Sequence, residues 1–306
     1  MKFSIITPCL NRADFIEAAI ESVRTQNYSD FEHWIIDGGS TDGTLELLQH
    51  YPHLRVVSEA DRGVYDAMNK GIRLATGDVV ILLNSDDLLV PGALLLAADI
   101  FRNAIGTMIV SAGCQIFRSA RNGAEVEMHR YDDPRRYALS LRNVTIGKPN
   151  LNARFFRKKV FDQIGDFDLS YPIAADRDLL IRAALRQLPD APVAKVLYRY
   201  RWHSGSLTMN PGSDSLLSGM REGSRIIERS IQNFVISREQ MAWLGQWRRE
   251  CQVTEVMVHV VQGRFGEALS SWTNGARQDP RFLLTFVRLG LLAIGRRVRT
   301  WWRLKM

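Results

Sequence analysis

Two adjacent carboxylates at the end of an apolar run are the first candidates for chemistry. The segment VVILL, residues 79–83, has the character of a buried strand, and Asn84, Ser85, Asp86 and Asp87 follow it directly. Like charges side by side raise the cost of ionising each other unless a cation lies between them. A hard divalent cation prefers oxygen ligands, commonly carboxylates together with phosphates. The alternative is a polar turn that caps the next helix, which Ser and Asp also favour.

Three further polar segments follow strand-like runs. TPCLNR follows the first run, DGGSTDGT the second and SEADRG the third. Asp37 offers a carboxylate to a nucleobase, and the glycine-rich backbone beside it could approach that base closely. A plain turn with Ser40 or Thr41 as a helix cap explains the same segment. Asp61 and Asn69 lie in and after the third segment, where a solvated helix face would account for some of the polar residues.

The elements that must position these segments alternate between strands and helices. Four Ile- and Val-rich runs predict strands covered on both faces: 3–8, 33–37, 55–59 and 79–84. Apolar residues at helical spacing follow the first and third of them. This order predicts an α/β fold with a mainly parallel central sheet flanked by helices. Ligands bind beyond the carboxyl ends of strands in such sheets, so the polar segments should converge on one edge.

Composition and charge limit the classes of protein to which this chain could belong. The chain has 306 residues, of which 46% are apolar and 24% charged, and a net charge of +7 that suggests an anionic partner. Zinc-finger spacing, a basic zipper and an RNA-binding aromatic signature are missing, which argues against nucleic acid. Cys9, Cys114 and Cys251 form no CxxC pair and predict neither a disulfide framework nor a zinc site. The apolar runs are too short for a secretory signal or a membrane span, so we expect a cytoplasmic protein.

Several motifs together resemble those of a known enzyme family. SIITPCLN, IIDGGSTDGT, SEADRGVYDAMNKGIRLATGDVVILLNSDD and AADRDLLIR resemble, in this order, the family 2 glycosyltransferases of the glycosyltransferase A fold. The resemblance is to bacterial members that build surface polysaccharides, such as the colanic-acid type. It covers roughly residues 1–210. It implies an inverting, metal-dependent hexosyltransferase that takes its sugar from a nucleotide-diphosphate sugar.

The resemblance also implies which residues bind the donor and the metal. Asp86 matches the acidic strand-end motif that holds Mg²⁺ or Mn²⁺ against the donor diphosphate, and Asp87 is a supporting carboxylate beside it. Asn84 departs from the family pattern, because an amide brings no charge. The other donor-binding residues implied near the strand ends are Thr7, Pro8, Asn11, Asp37, Asp61 and Asn69.

The general base of the family is an acidic residue at the start of a helix below the acceptor. Asp176 matches it in DRDLLIRAAL, a predicted helix, and Ala175 stands where the family often has glutamate. Asp178 is the competitor, but positions two apart on a helix point to different sides, so only one should face the acceptor. We favour Asp176. His203 aligns with a region that can close over the diphosphate, although a lone histidine is more often structural or exposed.

The domain organisation follows from the extent of the motifs. We expect a catalytic domain at 1–214, with a nucleotide-sugar-binding half at about 1–117 and an acceptor-binding half at about 118–214. A helical extension at 215–306 should follow. Its end, RRVRTWWRLK, mixes arginines with paired tryptophans, which suits peripheral contact with the inner face of an anionic membrane. A core helix with a solvated basic tail is the alternative. Membrane contact would favour a lipid-linked acceptor.

Two other classes of function compete with the transferase. A dinucleotide-dependent oxidoreductase needs GxGxxG after the first strand, where this chain has TPCLNR. A non-catalytic sugar-nucleotide-binding or scaffold protein of the same fold stays open, because Asn84 and Ala175 both depart from the family pattern. Release of nucleotide diphosphate from a donor would separate the enzyme from the binding protein.

Overall fold

The computed structural model describes residues 1–120, 124–147, 152–203 and 214–289. The chain divides into two compact units, Met1–Ser206 and Leu207–Met306. The described strands all belong to the first unit, and they are β1 Phe3–Cys9, β2 Phe31–Asp37, β3 Leu54–Ser58, β4 Val79–Leu82, β5 Leu88–Leu89, β6 Ile109–Ser119, β7 Glu125–Tyr131, β8 Arg154–Arg157 and β9 Asp190–Arg201. The helices of the first unit are α1 Ile16–Arg24, α2 Thr44–Leu48, α3 Val64–Leu74, α4 Ala93–Asn103, α5 Pro134–Tyr137, α6 Leu141–Thr145, α7 Lys159–Ile164 and α8 Ala175–Leu185.

The first four strands form the parallel part of the sheet, as their sequence predicts. Strand β1 pairs in parallel with β2 on one side and β4 on the other, and β3 pairs in parallel with β2. Every residue of β1 and β4 is buried, which explains why their sequences are apolar without alternation. The register aligns Cys9 with Asp37 and Asp37 with Ser58, so these strands end together.

The sheet as a whole is mixed, because antiparallel strands join its parallel part, and this refines the sequence prediction. Its order is β3-β2-β1-β4-β8-β6-β9-β5, with β7 beside β6. Strand β8 is antiparallel to both β4 and β6, and β5 is antiparallel to β9. Strand β7 is also antiparallel to β6, because the connection between them is too short for a crossover. The α/β class and the flanking helices are confirmed.

Helix α3 lies directly against the sheet because a glycine permits the approach. A Cβ atom added at Gly71 would lie 2.3 Å from Cγ2 of Ile6 and 3.3 Å from Cγ1 of Ile36, on β1 and β2. The same helix buries Ala67, Met68 and Ile72. Its first turn is therefore fixed beside the carboxyl ends of the parallel strands.

The second unit is helical throughout its described part. It contains α9 Asp214–Asn233, α10 Arg238–Val261 and α11 Phe265–Gln278, and residues 282–289 are also helical. Val253, Val256, Ala268 and Phe282 form its apolar core. Within the residues that the structure describes, no helix is both long enough and apolar enough to cross a bilayer. The basic, tryptophan-containing end of the chain lies outside the described residues.

Candidate active site

The loops that follow β1 and β2 are joined into one surface. The backbone N–H of Asn11 donates to Oγ of Ser40 (2.7 Å), and Oδ1 of Asn11 accepts from the backbone N–H of Thr41 (2.9 Å). One residue on, the N–H of Arg12 donates to Oγ1 of Thr44 (2.9 Å). Asn11 has a φ of 52°, a left-handed conformation that Asn tolerates better than most residues. The predicted convergence of the first two polar segments is therefore present.

Asp37 is the anchor of the turn that follows β2. Its Oδ2 accepts from the backbone N–H groups of Gly39 and Ser40 (both 3.0 Å) and from the hydroxyl of Ser58 (2.7 Å), while its Oδ1 accepts from the Ser40 hydroxyl. Burial by itself would raise the pKa of Asp37, but the hydrogen bonds from Ser40 and Ser58 outweigh it and hold the pKa below its ordinary value. The side chain has no exposed surface, so the visible function of Asp37 is to shape this loop.

The loop after β3 packs against the same turn. A Cβ atom added at Gly38 would lie 2.7 Å from Oδ2 of Asp61, so the absence of a side chain at Gly38 lets this carboxylate lie against the turn. The other oxygen of Asp61 accepts from the N–H of Gly63 (2.8 Å). The third polar segment thus joins the first two at one edge of the sheet.

Three other residues that the resemblance assigns to donor binding are buried within the protein. Oγ1 of Thr7 lies 2.9 Å from Nε2 of His33, both side chains are fully buried, and Pro8 is buried in the same strand. Asn69 donates through Nδ2 to the carbonyl of Phe167 and accepts through Oδ1 from its N–H, both at 2.9 Å. These contacts favour a positioning role for Thr7 and Asn69.

The fourth polar segment contains one partly exposed carboxylate and one buried carboxylate. Asp87 accepts from Nδ2 of Asn84 (3.0 Å), from the hydroxyl of Tyr198 (2.7 Å) and from the N–H of Arg201 (2.8 Å). Burial and the nearby charge of Asp86 raise the pKa of Asp87 to about 8, although its three hydrogen bonds oppose this shift. Asp87 therefore ties the strand end to β9, and only Asp86 faces outward.

The structure explains why an amide occupies position 84. Its Nδ2 donates to the buried carboxyl group of Asp87, whereas an ionised acidic side chain there could not donate and would add a negative charge next to Asp86 and Asp87. At the position where this chain departs from the family pattern, Asn84 thus serves as a hydrogen-bond donor to Asp87.

Asp86 is paired with the histidine that the sequence placed near the diphosphate. Nε2 of His203 lies 2.9 Å from Oδ2 of Asp86, and the two side chains are 19% and 17% exposed. The imidazole also stacks on Phe15, with ring centroids 4.8 Å apart and planes inclined by 22°. His203 thereby joins the loop after β1 to the fourth polar segment.

These two side chains fit a divalent cation that shares its coordination with a substrate. A carboxylate oxygen and an imidazole nitrogen converge at the exposed strand-end edge. In the described parts of the chain no group of three or more His, Cys, Asp or Glu could hold a metal by itself. A cation there would need diphosphate oxygens and water to complete its shell, which is how Mg²⁺ usually binds.

Arg201 is a site residue that the sequence did not single out. Its Nε donates to the carbonyl of Asp86 (3.0 Å) and its Nη1 to Oγ of Ser119 (3.0 Å). The guanidinium lies over the rings of Phe117 and Phe15, at 4.7 Å and 5.8 Å from their centroids. No local signal reveals this role, because 114 residues separate Arg201 from the strand end that it contacts.

Asp176 lies in the first turn of α8, beside the start of α3. The hydroxyl of Tyr65 donates to the carbonyl of Ile173 (3.0 Å) and also interacts with the Asp176 carboxylate. Burial raises the pKa of Asp176, although the charge and N–H of Arg177 and the contact with Tyr65 oppose the shift. A carboxylate with a raised pKa is a stronger base, which suits general base catalysis.

Asp178, the competitor for that role, is occupied elsewhere. Its Oδ2 accepts from Nε of Arg182 (2.8 Å), one turn further along α8. The same guanidinium donates to the carbonyls of Ile164 and Asp166. Asp178 is buried in this network, so it orients an arginine that fixes the preceding loop.

Comparison with known proteins gives consistent matches. The family model described as glycosyl transferase family 2 matches residues 4–165. Curated glycosyltransferases of PGL/p-HBAD biosynthesis from Mycobacterium bovis and Mycobacterium tuberculosis are 35% identical over 187 residues, which is 59% of this chain and 68% of theirs.

Solved structures share the fold. TarS 1-349 from S. aureus in complex with UDP-GlcNAc has a TM-score of 0.61 at 19% identity, over 88% of this chain and 81% of that one. The match spans 43% of a longer TarS chain. The mannosyltransferase PcManGT from Pyrobaculum calidifontis, in complex with GDP-Man and Mn2+, has a TM-score of 0.62 at 17% identity, over 98% of this chain and 82% of that one.

Proposed function

This chain belongs to glycosyl transferase family 2, and we propose that it moves a sugar, with inversion, from a nucleotide-diphosphate sugar to a saccharide hydroxyl. The observation that carries the proposal is the arrangement at the strand-end edge. An outward carboxylate–imidazole pair, Asp86 and His203, lies at the end of β4, and Asp176, with its raised pKa, lies beside the start of α3. Solved relatives of the same fold bind UDP-GlcNAc or GDP-Man, which supports the donor class.

In the proposed mechanism Asp176 is the general base. It accepts the proton of the acceptor hydroxyl as that oxygen attacks the anomeric carbon from the face opposite the leaving diphosphate. Tyr65 holds Asp176 by its contact with the carboxylate. Asp86, with His203, would hold Mg²⁺ or Mn²⁺, which when bound neutralises charge on the diphosphate. Asp61 borders the turn held by Asp37, and together these loops form the floor that we assign to the nucleoside.

The non-catalytic alternative rests on two departures from the family pattern, and the structure gives each a reason that is compatible with activity. Asn84 supplies a hydrogen bond to the buried Asp87. Ala175 has no exposed surface, so a glutamate in its place would bury a charge. Both substitutions therefore suit the packing of this chain, and we favour the enzyme.

We propose a lipid-linked saccharide as the acceptor, in bacterial surface polysaccharide synthesis on the cytoplasmic side of the membrane. The curated relatives are named for PGL/p-HBAD biosynthesis, which supports a role in glycoconjugate assembly. The three cysteines are buried and form no disulfide with one another, as is usual for a reducing compartment.

The first test is a screen of nucleotide sugars with Mn²⁺ that measures release of nucleotide diphosphate, followed by two substitutions. Asp176→Asn should bind the donor with nearly unchanged affinity but lose about 10²- to 10⁴-fold in transfer, because only proton acceptance is removed. Asp86→Ala should lose the increase in donor affinity that Mn²⁺ gives, measured by calorimetry with and without the metal.

Asp99→Asn is the matched control, because Asp99 is an exposed helix carboxylate paired with Arg102. It should leave both measurements unchanged. Full transfer by Asp176→Asn would assign the base to another group. Donor binding without turnover, for every donor and acceptor tried, would favour the binding protein.

A further inference from the structure

The connection between α7 and α8 leads directly into the helical turn that carries Asp176. It comprises residues 165–174, which form turns but no strand or helix of their own. Backbone of this kind has few hydrogen bonds within itself, so its shape depends on the elements that lie beside it. The position of Asp176 is therefore set in part by whatever holds residues 165–174.

Helix α3 holds this connection along its length. It does so through three side chains spaced four residues apart, Tyr65, Asn69 and Arg73. Residues at this spacing lie along one face of a helix. Arg73 donates to Oδ2 of Asp166 (3.1 Å), near the start of the connection. Tyr65 donates to the carbonyl of Ile173 (3.0 Å), near its end.

Asn69 makes the most specific of these contacts. Its amide donates to the carbonyl of Phe167 and accepts from the N–H of the same residue, and the two side chains are 4% and 3% exposed. The Phe167 ring then stacks on Tyr65, with ring centroids 5.2 Å apart. Arg73 and Asp166 are largely exposed, and such ion pairs stabilise little. An amide suits the contact because it both donates and accepts, whereas an ionised carboxylate can only accept.

The same helix is also joined to the donor edge of the sheet. Nζ of Lys70 donates to the carbonyl of Ala60 (2.9 Å), and the N–H of Arg62 donates to Oδ2 of Asp66 (3.0 Å). Ala60 and Arg62 belong to the third polar segment, which follows β3. Helix α3 therefore relates the connection before Asp176 to the loops that we assign to the donor.

We propose that Asn69 is a positioning residue for the general base, because it fixes residues 165–174 on α3 and so holds Asp176 in place relative to the donor edge. The inference rests on the proposed function, in which Asp176 accepts the acceptor proton. The resemblance instead counts Asn69 among the donor-binding residues. Its amide is almost fully buried and faces the backbone of Phe167, which favours positioning over donor contact.

Release of the connection should also change the acidity of the base. Burial raises the pKa of Asp176, and the titratable groups that oppose this shift are Arg177 on α8 and Tyr65 on α3. When the connection is loosened, water reaches the carboxylate and its pKa should fall toward the ordinary value. Because the base acts in its ionised form, the low-pH limb of kcat should then move to lower pH.

The main test is Asn69→Ala. Its kcat should fall at least about tenfold, because a small displacement of a catalytic group is costly. The Kd of the donor, measured by calorimetry with Mn²⁺, should change less than about twofold, since the interaction lost is not one with the donor. In an Asp176→Asn background the same substitution should cause no further loss of transfer, because the group that Asn69 positions no longer accepts a proton.

Gln26→Ala is the matched control, since Gln26 is also a buried amide that donates to backbone, at the carbonyls of Ser22 (2.9 Å) and Val90 (3.0 Å). It should lower stability but leave the pH profile of the folded protein unchanged. Thermal unfolding gives the temperatures at which each variant is folded. Asn69→Asp, which keeps the size of the side chain but cannot donate to Phe167 when ionised, serves if Asn69→Ala does not fold.

Carboxyl-carbon NMR of labelled aspartate gives the pKa of Asp176 without donor or turnover. A lower pKa in Asn69→Ala supports the inference, and an unchanged pKa overturns it. A donor Kd raised more than about tenfold at unchanged kcat would also overturn it, in favour of donor contact. So would an equal loss of transfer in the Asp176→Asn background. An inactive unmodified chain would count against the proposed function, while the NMR titration would still decide whether Asn69 positions Asp176.

Discussion

The acidic side chains at the end of β4 have different roles because they differ in burial. Asp86 is partly exposed and available to a ligand, whereas Asp87 is fully buried and is used as an acceptor by three donors. Asn84 is one of those donors. The amide of Asn84 in an otherwise acidic motif is therefore part of the packing around Asp87. Its replacement should lower the stability of the folded protein.

Asn84→Asp should lower the free energy of unfolding by about 1–3 kcal/mol, because it removes a hydrogen bond and places a second carboxylate against Asp87. Asn84→Ala should cost about 1 kcal/mol, since it removes the hydrogen bond alone. Urea denaturation of the three proteins at neutral pH measures both values. Equal stability of Asn84→Asp and the unmodified chain would show that the amide contributes nothing to this site.

The strands illustrate which features of an element its sequence reveals. Strands β1, β2, β3 and β4 and helix α3 are predicted well, because each is a local pattern of apolar residues. The mixed character of the sheet is not predicted, because β8 and β9 enter it after long excursions and the direction of a strand has no local signature. For the same reason Asp86 is readable from the sequence, whereas Tyr198 and Arg201 are not.

Strand β2 carries a buried histidine that gives the fold a pH dependence. Burial, with a smaller effect of His53, lowers the pKa of His33 from 6.5 to about 3. The folded protein keeps His33 neutral, while the unfolded chain binds a proton below about pH 6.5. Its contribution to stability is therefore complete above pH 6.5 and falls by about 1.4 kcal/mol per unit as the pH drops toward 3.

His33→Gln should remove that dependence. Between about pH 7 and about pH 5 the unmodified chain should lose about 2 kcal/mol more of its unfolding free energy than the variant does. Urea denaturation at a series of pH values gives the difference. His50→Gln, a change at an exposed histidine, should leave the slope unchanged. Parallel slopes for His33→Gln and the unmodified chain would refute the assignment.

At the scale of the whole molecule, the proposed donor site and the exposed apolar side chains of helix 282–289 belong to different units. Residues of the donor site lie within Met1–Ser206, and Leu283, Leu284 and Val287 lie within Leu207–Met306. Substitutions of Leu284 and Val287 should thus leave donor binding intact. A ligand that binds only the folded protein raises its stability by an amount set by its concentration relative to Kd.

A nucleotide sugar that is the true donor should raise the free energy of unfolding by about 2.7 kcal/mol at a hundred times its Kd. The increase should require Mn²⁺ or Mg²⁺ and should be lost in Asp86→Ala. Thermal unfolding with a panel of donors, with and without metal, measures it. A double variant of the second unit, Leu284→Asp with Val287→Asp, should respond like the unmodified chain, and a lost response would contradict the assignment of the donor site to the first unit.

The hydrogen bonds of Asp87 have a consequence for the newly made chain. Two of its three donors, Tyr198 and Arg201, come from β9, and Asp86 meets its partner only at His203. While the ribosome is still making the first 200 residues or so, the parallel strands can already pair, but the strand end that we assign to the diphosphate lacks its supports. Contacts so distant in sequence are slow to form. We therefore expect a truncated chain that ends before β9 to lack the supports of the diphosphate site that we propose, because Tyr198, Arg201 and His203 are all missing from it.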